Sequence, residues 1–70
     1  MRNTVVGQCL LQNLLDQRKM TQADLSRKTG ISPKQISDYI NNRKTMSLKN
    51  ARIISIALAC IIDDLYKWKI

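Results

Sequence analysis

The sequence has no histidine and no phenylalanine, and it has only two glycines, one proline and two cysteines. Without histidine, neither a Ser-His-Asp triad nor a histidine general base can be built. Cys9 and Cys60 are far apart in the sequence, and two isolated cysteines do not form a zinc site. A Gly-rich phosphate loop is also absent. We therefore expect no enzyme activity, no cofactor and no metal, and we interpret both cysteines as small core or interface residues.

Long apolar segments are missing as well. The longest apolar run, Ile53–Ile62, is interrupted by Ser55 and is much shorter than the roughly 20 residues of a membrane span. No sustained apolar region follows Met1–Arg2–Asn3, so we expect no secretory signal. We expect a cytoplasmic protein.

Positive charge is abundant, with 12 Lys and Arg against 5 Asp and Glu, a net charge of +7. This excess favours an anionic partner, either a nucleic acid, an acidic protein or a membrane surface. A membrane surface is disfavoured because the cations are not gathered opposite one apolar helix face. The length predicts one small domain, residues 1–70, of marginal stability.

Helix signals dominate the sequence, and strand signals are weak because no alternating run is bounded by hairpin turns. A leucine stripe predicts a first helix from about Thr4 to Arg18. A fourth helix is expected from the Ser47 cap to about Ala59 or Cys60, and a short fifth helix over Ile62–Tyr66. We therefore predict an all-α fold.

Between these segments lie two short helices joined by a turn, over about residues 21–42. Thr21 is a candidate N-cap, with Asp24 three residues later as in a capping box. Gly30 suits the left-handed position that ends a helix. Ser32, followed by proline and then by glutamine three residues on, marks the start of the next helix. Asn42 can end that helix, because asparagine tolerates left-handed backbone better than most residues.

The second of these helices has an apolar face made by Ile36, Tyr39 and Ile40. The residues predicted on the opposite, polar face are Lys34, Gln35, Asp38, Asn41 and Asn42. A donor-rich face on a rigid two-helix platform is what reading the DNA major groove requires.

The stretch TQADLSRKTGISPKQISDYINNRKTMS resembles the helix-turn-helix of Cro/CI-type phage repressors, the XRE family. The matching pieces are Thr21–Gln22, Leu25–Ser26, Gly30–Ile31–Ser32, Ile36–Ser37 and Asn41–Asn42. The resemblance extends over about Leu10 to Tyr66. It implies a five-helix, lambda-repressor-like DNA-binding domain.

Five positions depart from the family pattern, and one of them is Asn42, which stands where the family usually has a turn glycine. Leu15 and Ile40 stand where family members often have an Arg–Glu ion pair, and such a pair can be exchanged for apolar residues if both partners change. Ala59 and Ile61 replace the usual glycine and serine before the fifth helix. The fourth helix is therefore expected to run on.

The resemblance also implies roles for individual residues. The residues expected to read bases are Pro33, Lys34, Gln35 and Asp38. Those expected to contact phosphates are Gln22, Ser37, Asn41, Arg43, Lys44 and Thr45. Gln35 can alternatively serve its capping box, and Asp38 can accept from cytosine, exclude wrong sequences or be an ordinary solvated residue.

The fourth helix has two apolar stripes. The stripe expected to face the core consists of Leu48, Ala51, Ile54, Ser55, Leu58 and Ile62. A second stripe consists of Ile53, Ile56 and Cys60, and with Trp68 or Ile70 it is a candidate homodimer interface. The alternative is that the C-terminal tail of the same chain covers it.

Together these observations predict a small transcriptional regulator that binds a double-stranded DNA operator. We expect a phage or mobile-element repressor in the cytoplasm of a bacterial cell or phage-infected host. We expect no separate ligand or autocleavage domain, so control is expected from concentration, competition or a regulatory protein partner. Two alternatives stay open, an antitoxin of a toxin–antitoxin pair and a protein-binding adaptor on the same scaffold.

Overall fold

A computed structural model describes residues 6–68 of the chain. The elements are β1 (Val6–Cys9), α1 (Leu11–Gln17), α2 (Gln22–Thr29), α3 (Pro33–Ile40), α4 (Leu48–Ala57), a 3₁₀ helix (Ile62–Leu65) and β2 (Tyr66–Trp68). The fold is thus mostly helical, with four α-helices and a two-stranded sheet in the described residues.

The sheet corrects the all-α prediction. β1 and β2 pair antiparallel, with Val6 opposite Trp68 and Cys9 opposite Tyr66. The first helix begins at Leu11, so the segment before it, predicted helical from about Thr4, is a strand from Val6 to Cys9. Thr4 itself lies outside the described residues. Strands of three and four residues at opposite ends of the chain leave no pattern that a local reading can detect.

The C-terminal part also differs from the five-helix expectation. The fourth helix ends at Ala57 and does not run on, because Ala59 takes up left-handed backbone with φ of 54°. The expected fifth helix over Ile62–Tyr66 is a single 3₁₀ turn, Ile62–Leu65, and Tyr66 already belongs to β2.

A single apolar core joins all these elements. Its fully buried side chains are Leu11, Leu15, Leu25, Ile36, Ile54, Leu58, Leu65 and Ser55. Leu15 lies inside this core and Ile40 packs against it, as expected for the apolar pair that replaces an ion pair. Leu48 was expected to face inward, but 78% of it is exposed because it occupies the first position of α4.

The described residues include no helix that combines the length and the apolar character needed to span a bilayer. The longest helix, α4, has 10 residues, or about 15 Å at the usual rise per residue.

Candidate nucleic-acid interface

Local capping fixes where α2 begins. The Thr21 hydroxyl accepts from the backbone N–H of Asp24 at 3.0 Å, and the Asp24 carboxylate accepts from the Thr21 N–H at 3.0 Å. This is the predicted capping box. The bond from the Thr21 N–H, followed by the Thr21 hydroxyl and the Arg27 charge, lowers the pKa of Asp24. The cap that starts α2 is therefore formed between residues only three positions apart.

The turn between α2 and α3 depends on Gly30. Its φ is 79°, in the left-handed region, as the sequence predicts. The Gly30 N–H closes α2 by donating to the Ser26 carbonyl at 2.8 Å, and the Ser26 hydroxyl donates to the Ile31 carbonyl at 2.6 Å. Ile31 is buried, so the turn is anchored both by hydrogen bonds and by the core.

The start of α3 carries three exposed candidates for base contact, Pro33, Lys34 and Gln35. Ser32 caps the helix by accepting from the Gln35 N–H at 3.2 Å, and Pro33 takes the first helical turn. The second bond of the predicted capping box, in which the Gln35 side chain accepts from the Ser32 N–H, is not formed among the described residues. The Gln35 carboxamide therefore stays available on the exposed face.

Asp38 is the candidate whose environment differs most from the expectation. Its side chain is only 6% exposed, and its carboxylate lies 3.5 Å from the Lys34 ammonium and 3.4 Å from Nε of Arg43. A carboxylate in this position does not present itself to a base edge, nor is it an ordinary solvated residue. Its direct contact is with the neighbouring cations.

Ser37 and Asn41 bond to each other one helical turn apart. The Asn41 amide donates to the Ser37 carbonyl at 2.9 Å and to its hydroxyl at 3.2 Å. Asn41 is exposed, and its side-chain amide helps to close α3.

The loop after α3 presents Arg43, Lys44 and Thr45, all exposed. Two long-range hydrogen bonds hold its ends. The Cys9 N–H donates to Oδ1 of Asn42 at 3.0 Å, and the Met46 N–H donates to the buried Tyr66 hydroxyl at 3.0 Å.

Asn42 itself has φ of 60°, the left-handed backbone predicted for it. Sequence reasoning did not identify Tyr66 or the Asn42 side chain as supports of this loop. No local signal marks these contacts, because the bonded groups are 20 and 33 residues apart.

Gln22 lies at the first position of α2, half-buried, and its amide donates to Oε1 of Gln12 at 3.3 Å. Arg27 on α2 is paired with Asp24, and its neighbour Lys28 is exposed.

The second stripe of α4 is only partly covered. Ile56 is 63% exposed, whereas Ile53 and Cys60 are half-buried against the core. A groove of about 290 Å³ runs beside it, lined by Lys28, Ile53, Ile56 and Ala57.

Two C-terminal residues, Trp68 and Ile70, were candidates to complete this stripe, and only Trp68 lies among the described residues. Trp68 packs edge-on against Tyr66 at 5.8 Å between ring centres and donates its indole N–H to the Asp63 carbonyl at 2.8 Å. Ile70 lies outside the described residues. Ile61, 61% exposed, is a further apolar side chain, and the sequence did not assign it to this interface.

Comparisons with known proteins agree with this geometry. The profile of the Cro/C1-type HTH DNA-binding domain matches residues 11–69. From Bacillus subtilis (strain 168), the SPbeta prophage-derived uncharacterized HTH-type transcriptional regulator YopS is 41% identical over 66 residues, covering 93% of this chain and 89% of that protein. A second such regulator, YotL, is 32% identical over 59 residues, covering 83% and 74%.

The crystal structure of transcriptional regulator VanUg, Form II, superposes with a TM-score of 0.78 at 22% sequence identity, covering 99% of this chain and 91% of that one. At this identity the match shows the fold alone. The profile match and the two prophage relatives, together with the capped two-helix unit, show that this chain belongs to the Cro/C1-type helix-turn-helix family of DNA-binding transcriptional regulators.

Proposed function

We propose that this protein is a sequence-specific repressor that reads the DNA major groove with α3. The observation that carries the proposal is the exposed N-terminal turn of α3, where Pro33, Lys34 and Gln35 stand on a helix fixed by local caps. Lysine donates to guanine O6 and N7, and glutamine pairs with adenine N6 and N7. The first turn of a recognition helix is where such contacts are made.

Phosphate contacts flank this turn on both sides. Gln22 and the N-terminus of α2 suit one phosphate, since the backbone N–H groups at a helix N-terminus attract anions. Arg43, Lys44 and Thr45 suit the backbone on the other side, with Asn41 and Ser37 as neutral donors. These contacts position the protein and carry no sequence information.

The operator is proposed to be palindromic and bound by a homodimer. The second stripe, with Ile56 exposed, is the proposed two-fold interface. Two recognition helices then lie about one DNA turn, roughly 34 Å, apart. The SPbeta origin of the two relatives supports a phage or mobile-element source for the regulator.

The experiment is selection of bound duplexes from a random DNA pool at about 0.15 M salt, where long-range phosphate attraction is screened. A recovered palindrome supports the proposal. Lys34→Ala should relax preference at one base position, costing about 1–3 kcal/mol of discrimination there. Lys67→Ala is the matched control, since it removes the same charge from an exposed position on β2. Pools without enrichment would contradict sequence-specific binding.

Sedimentation at micromolar concentration tests the dimer. Ile56→Lys should convert it to a monomer without unfolding it, because the side chain is already largely exposed. A wild-type monomer that binds a single half-site would remove the dimer and keep the regulator.

A second candidate is a protein-binding adaptor, favoured by the same exposed Ile56 and the apolar groove beside it. It requires DNA affinity that is weak and indifferent to sequence while a protein partner is retained. The selection experiment separates the two functions directly.

A further inference from the structure

We propose that Asp38 is a positioning residue that sets the sequence preference of the DNA-binding surface. It does so by holding Lys34 and Arg43 in place and by offsetting part of their attraction for phosphates. The inference rests on the proposed function, because it concerns how α3 and the following loop discriminate among DNA sequences.

The geometry is one buried anion beneath two exposed cations. The Asp38 side chain is 6% exposed, whereas Lys34 is 84% and Arg43 60% exposed. Each cation takes a different oxygen, with Nζ of Lys34 at 3.5 Å from Oδ2 and Nε of Arg43 at 3.4 Å from Oδ1. The carboxylate therefore joins a candidate base contact to a candidate phosphate contact.

The backbone of Asp38 reinforces this link. Its carbonyl accepts from the N–H of Arg43 at 2.8 Å and from the N–H of Lys44 at 3.2 Å. The loop that follows α3 is thus folded back onto the same residue that pairs with Lys34. Asp38 therefore holds both Lys34, a candidate base contact, and Arg43 and Lys44, candidate phosphate contacts.

Asp38 is also the only acidic residue of the sequence between Gly30 and Asp63. A carboxylate among DNA-facing cations weakens binding to any duplex, because it opposes the phosphates. Its burial prevents direct base contact. Its effect on DNA recognition therefore passes through the two cations that it holds.

Discrimination between DNA sequences follows from the cost of breaking the contact between Lys34 and Asp38. Its ammonium sits on a flexible four-carbon chain that can turn to a phosphate on any sequence. Leaving Asp38 to do so takes one of two cations away from a largely buried carboxylate, which is unfavourable even with Arg43 still in place. Binding is therefore favoured on sequences that place a base acceptor within reach of Lys34 while it stays paired with Asp38. Binding is disfavoured on sequences where only phosphates are available to Lys34.

The first test compares wild type with Asp38→Asn on two duplexes, the sequence recovered from a random pool and an unrelated one. The variant should bind the unrelated duplex about fivefold more tightly, and its preference for the recovered sequence should fall about tenfold. Asp63→Asn makes the same charge change at an exposed position of the 3₁₀ helix and should leave the preference unchanged. An unchanged preference for Asp38→Asn would overturn the inference.

A double-mutant comparison tests whether Asp38 acts through Lys34. In a Lys34→Met background, adding Asp38→Asn should lower the preference less than about twofold, because the group it positions is gone. An equal loss of preference in both backgrounds would show that Asp38 acts independently of Lys34.

A third measurement avoids changing the buried residue, and so holds even if Asp38→Asn does not fold. Lys34→Gln should scarcely alter the salt dependence of binding, because the charge of Lys34 is offset and directed to a base. Lys44→Gln should lower the slope by about 0.9, the value for one phosphate contact. Equal slopes for the two variants would overturn the inference.

The outcomes also distinguish a failure of this inference from a failure of the proposed function. If the wild type itself has no sequence preference, the proposed function fails and the role of Asp38 fails with it. If the wild type is selective and Asp38→Asn is equally selective, only the role of Asp38 is rejected.

Discussion

The helix-turn-helix unit and the strand pair differ in how far along the chain their stabilising contacts reach. In the helix-turn-helix, capping bonds join close neighbours such as Thr21 and Asp24. At the strand pair, the Leu10 N–H donates to the Leu65 carbonyl at 2.8 Å, joining opposite ends of the chain. Loop closure must come before the second kind of contact forms, so the strands depend on the rest of the fold.

The loop after α3 belongs to both regions. Its start follows a locally capped helix, but its ends are held by Cys9 and Tyr66 from the two strands. The N-terminal turn of α3, which is proposed to read bases, therefore depends on local sequence. The loop of Arg43, Lys44 and Thr45 depends both on its bonds to the Asp38 carbonyl and on long-range contacts with the strands. Damage to the strand pair should weaken phosphate contacts before it affects base reading.

The largest expected effect comes from removing the strand pair's anchor in the core. Leu65 is fully buried where the 3₁₀ helix meets β2, so Leu65→Ala should cost about 2–5 kcal/mol of unfolding free energy. A domain of this size has little stability to lose, and urea denaturation should show a largely unfolded variant. Ile61→Ala, at an exposed site four residues away, should change stability by less than about 0.5 kcal/mol. Equal effects at the two sites would contradict a core-anchored strand pair.

The next effect concerns the hydrogen bond between β2 and the loop. Tyr66→Phe leaves the buried Met46 N–H without its acceptor and should cost about 1–3 kcal/mol. Amide exchange at Met46 should accelerate. Tyr39→Phe is the matched control, because it removes only the bond from the partly exposed Asn50 amide. A larger loss for Tyr39→Phe would mean that the loop is held by other contacts.

A smaller effect is expected within the helix-turn-helix. Gly30→Ala should cost about 1–2 kcal/mol, purely from left-handed backbone at φ of 79°, because no atom lies within 4 Å of the added Cβ. Gly30→Asn should cost less, since asparagine tolerates this region. Thermal unfolding of both variants measures the difference, and the reverse order would point to a steric rather than a conformational cost.

The smallest effect is a pH dependence confined to the α2 cap. Because the pKa of Asp24 is lowered on folding, its contribution to stability is present above its unfolded pKa of about 3.9. The contribution is lost as the pH falls through the folded pKa. Asp24→Asn should remove this component of acid unfolding, and Thr21→Ala should reduce it without abolishing it. An acid-unfolding curve identical for wild type and Asp24→Asn would refute the assignment.

The same contrast explains what the sequence could predict. The caps at Thr21, Ser32 and Ser47 and the left-handed residues Gly30 and Asn42 are confirmed, because each depends on side chains within a few positions. The strands were missed because each is too short to show a period and finds its partner at the far end of the chain.

The candidate site divides in the same way. The exposure of Lys34 and Gln35 follows from helical periodicity, but the burial of Asp38 does not. Its carboxylate is covered by Arg43, which lies beyond the helix end, so no pattern along α3 reveals it. Which bases these residues read stays a prediction.

Scarcity of glycine has a consequence at the helix ends. Lys19, Asn42 and Ala59 have φ of 55°, 60° and 54°, each two residues beyond the end of a helix. In a left-handed backbone conformation, a residue other than glycine lowers stability by about 1 kcal/mol relative to glycine. Lys19→Gly and Ala59→Gly should therefore raise the melting temperature. An exchange to glycine at either position would therefore offset a destabilising substitution elsewhere in the chain, such as one that alters operator recognition.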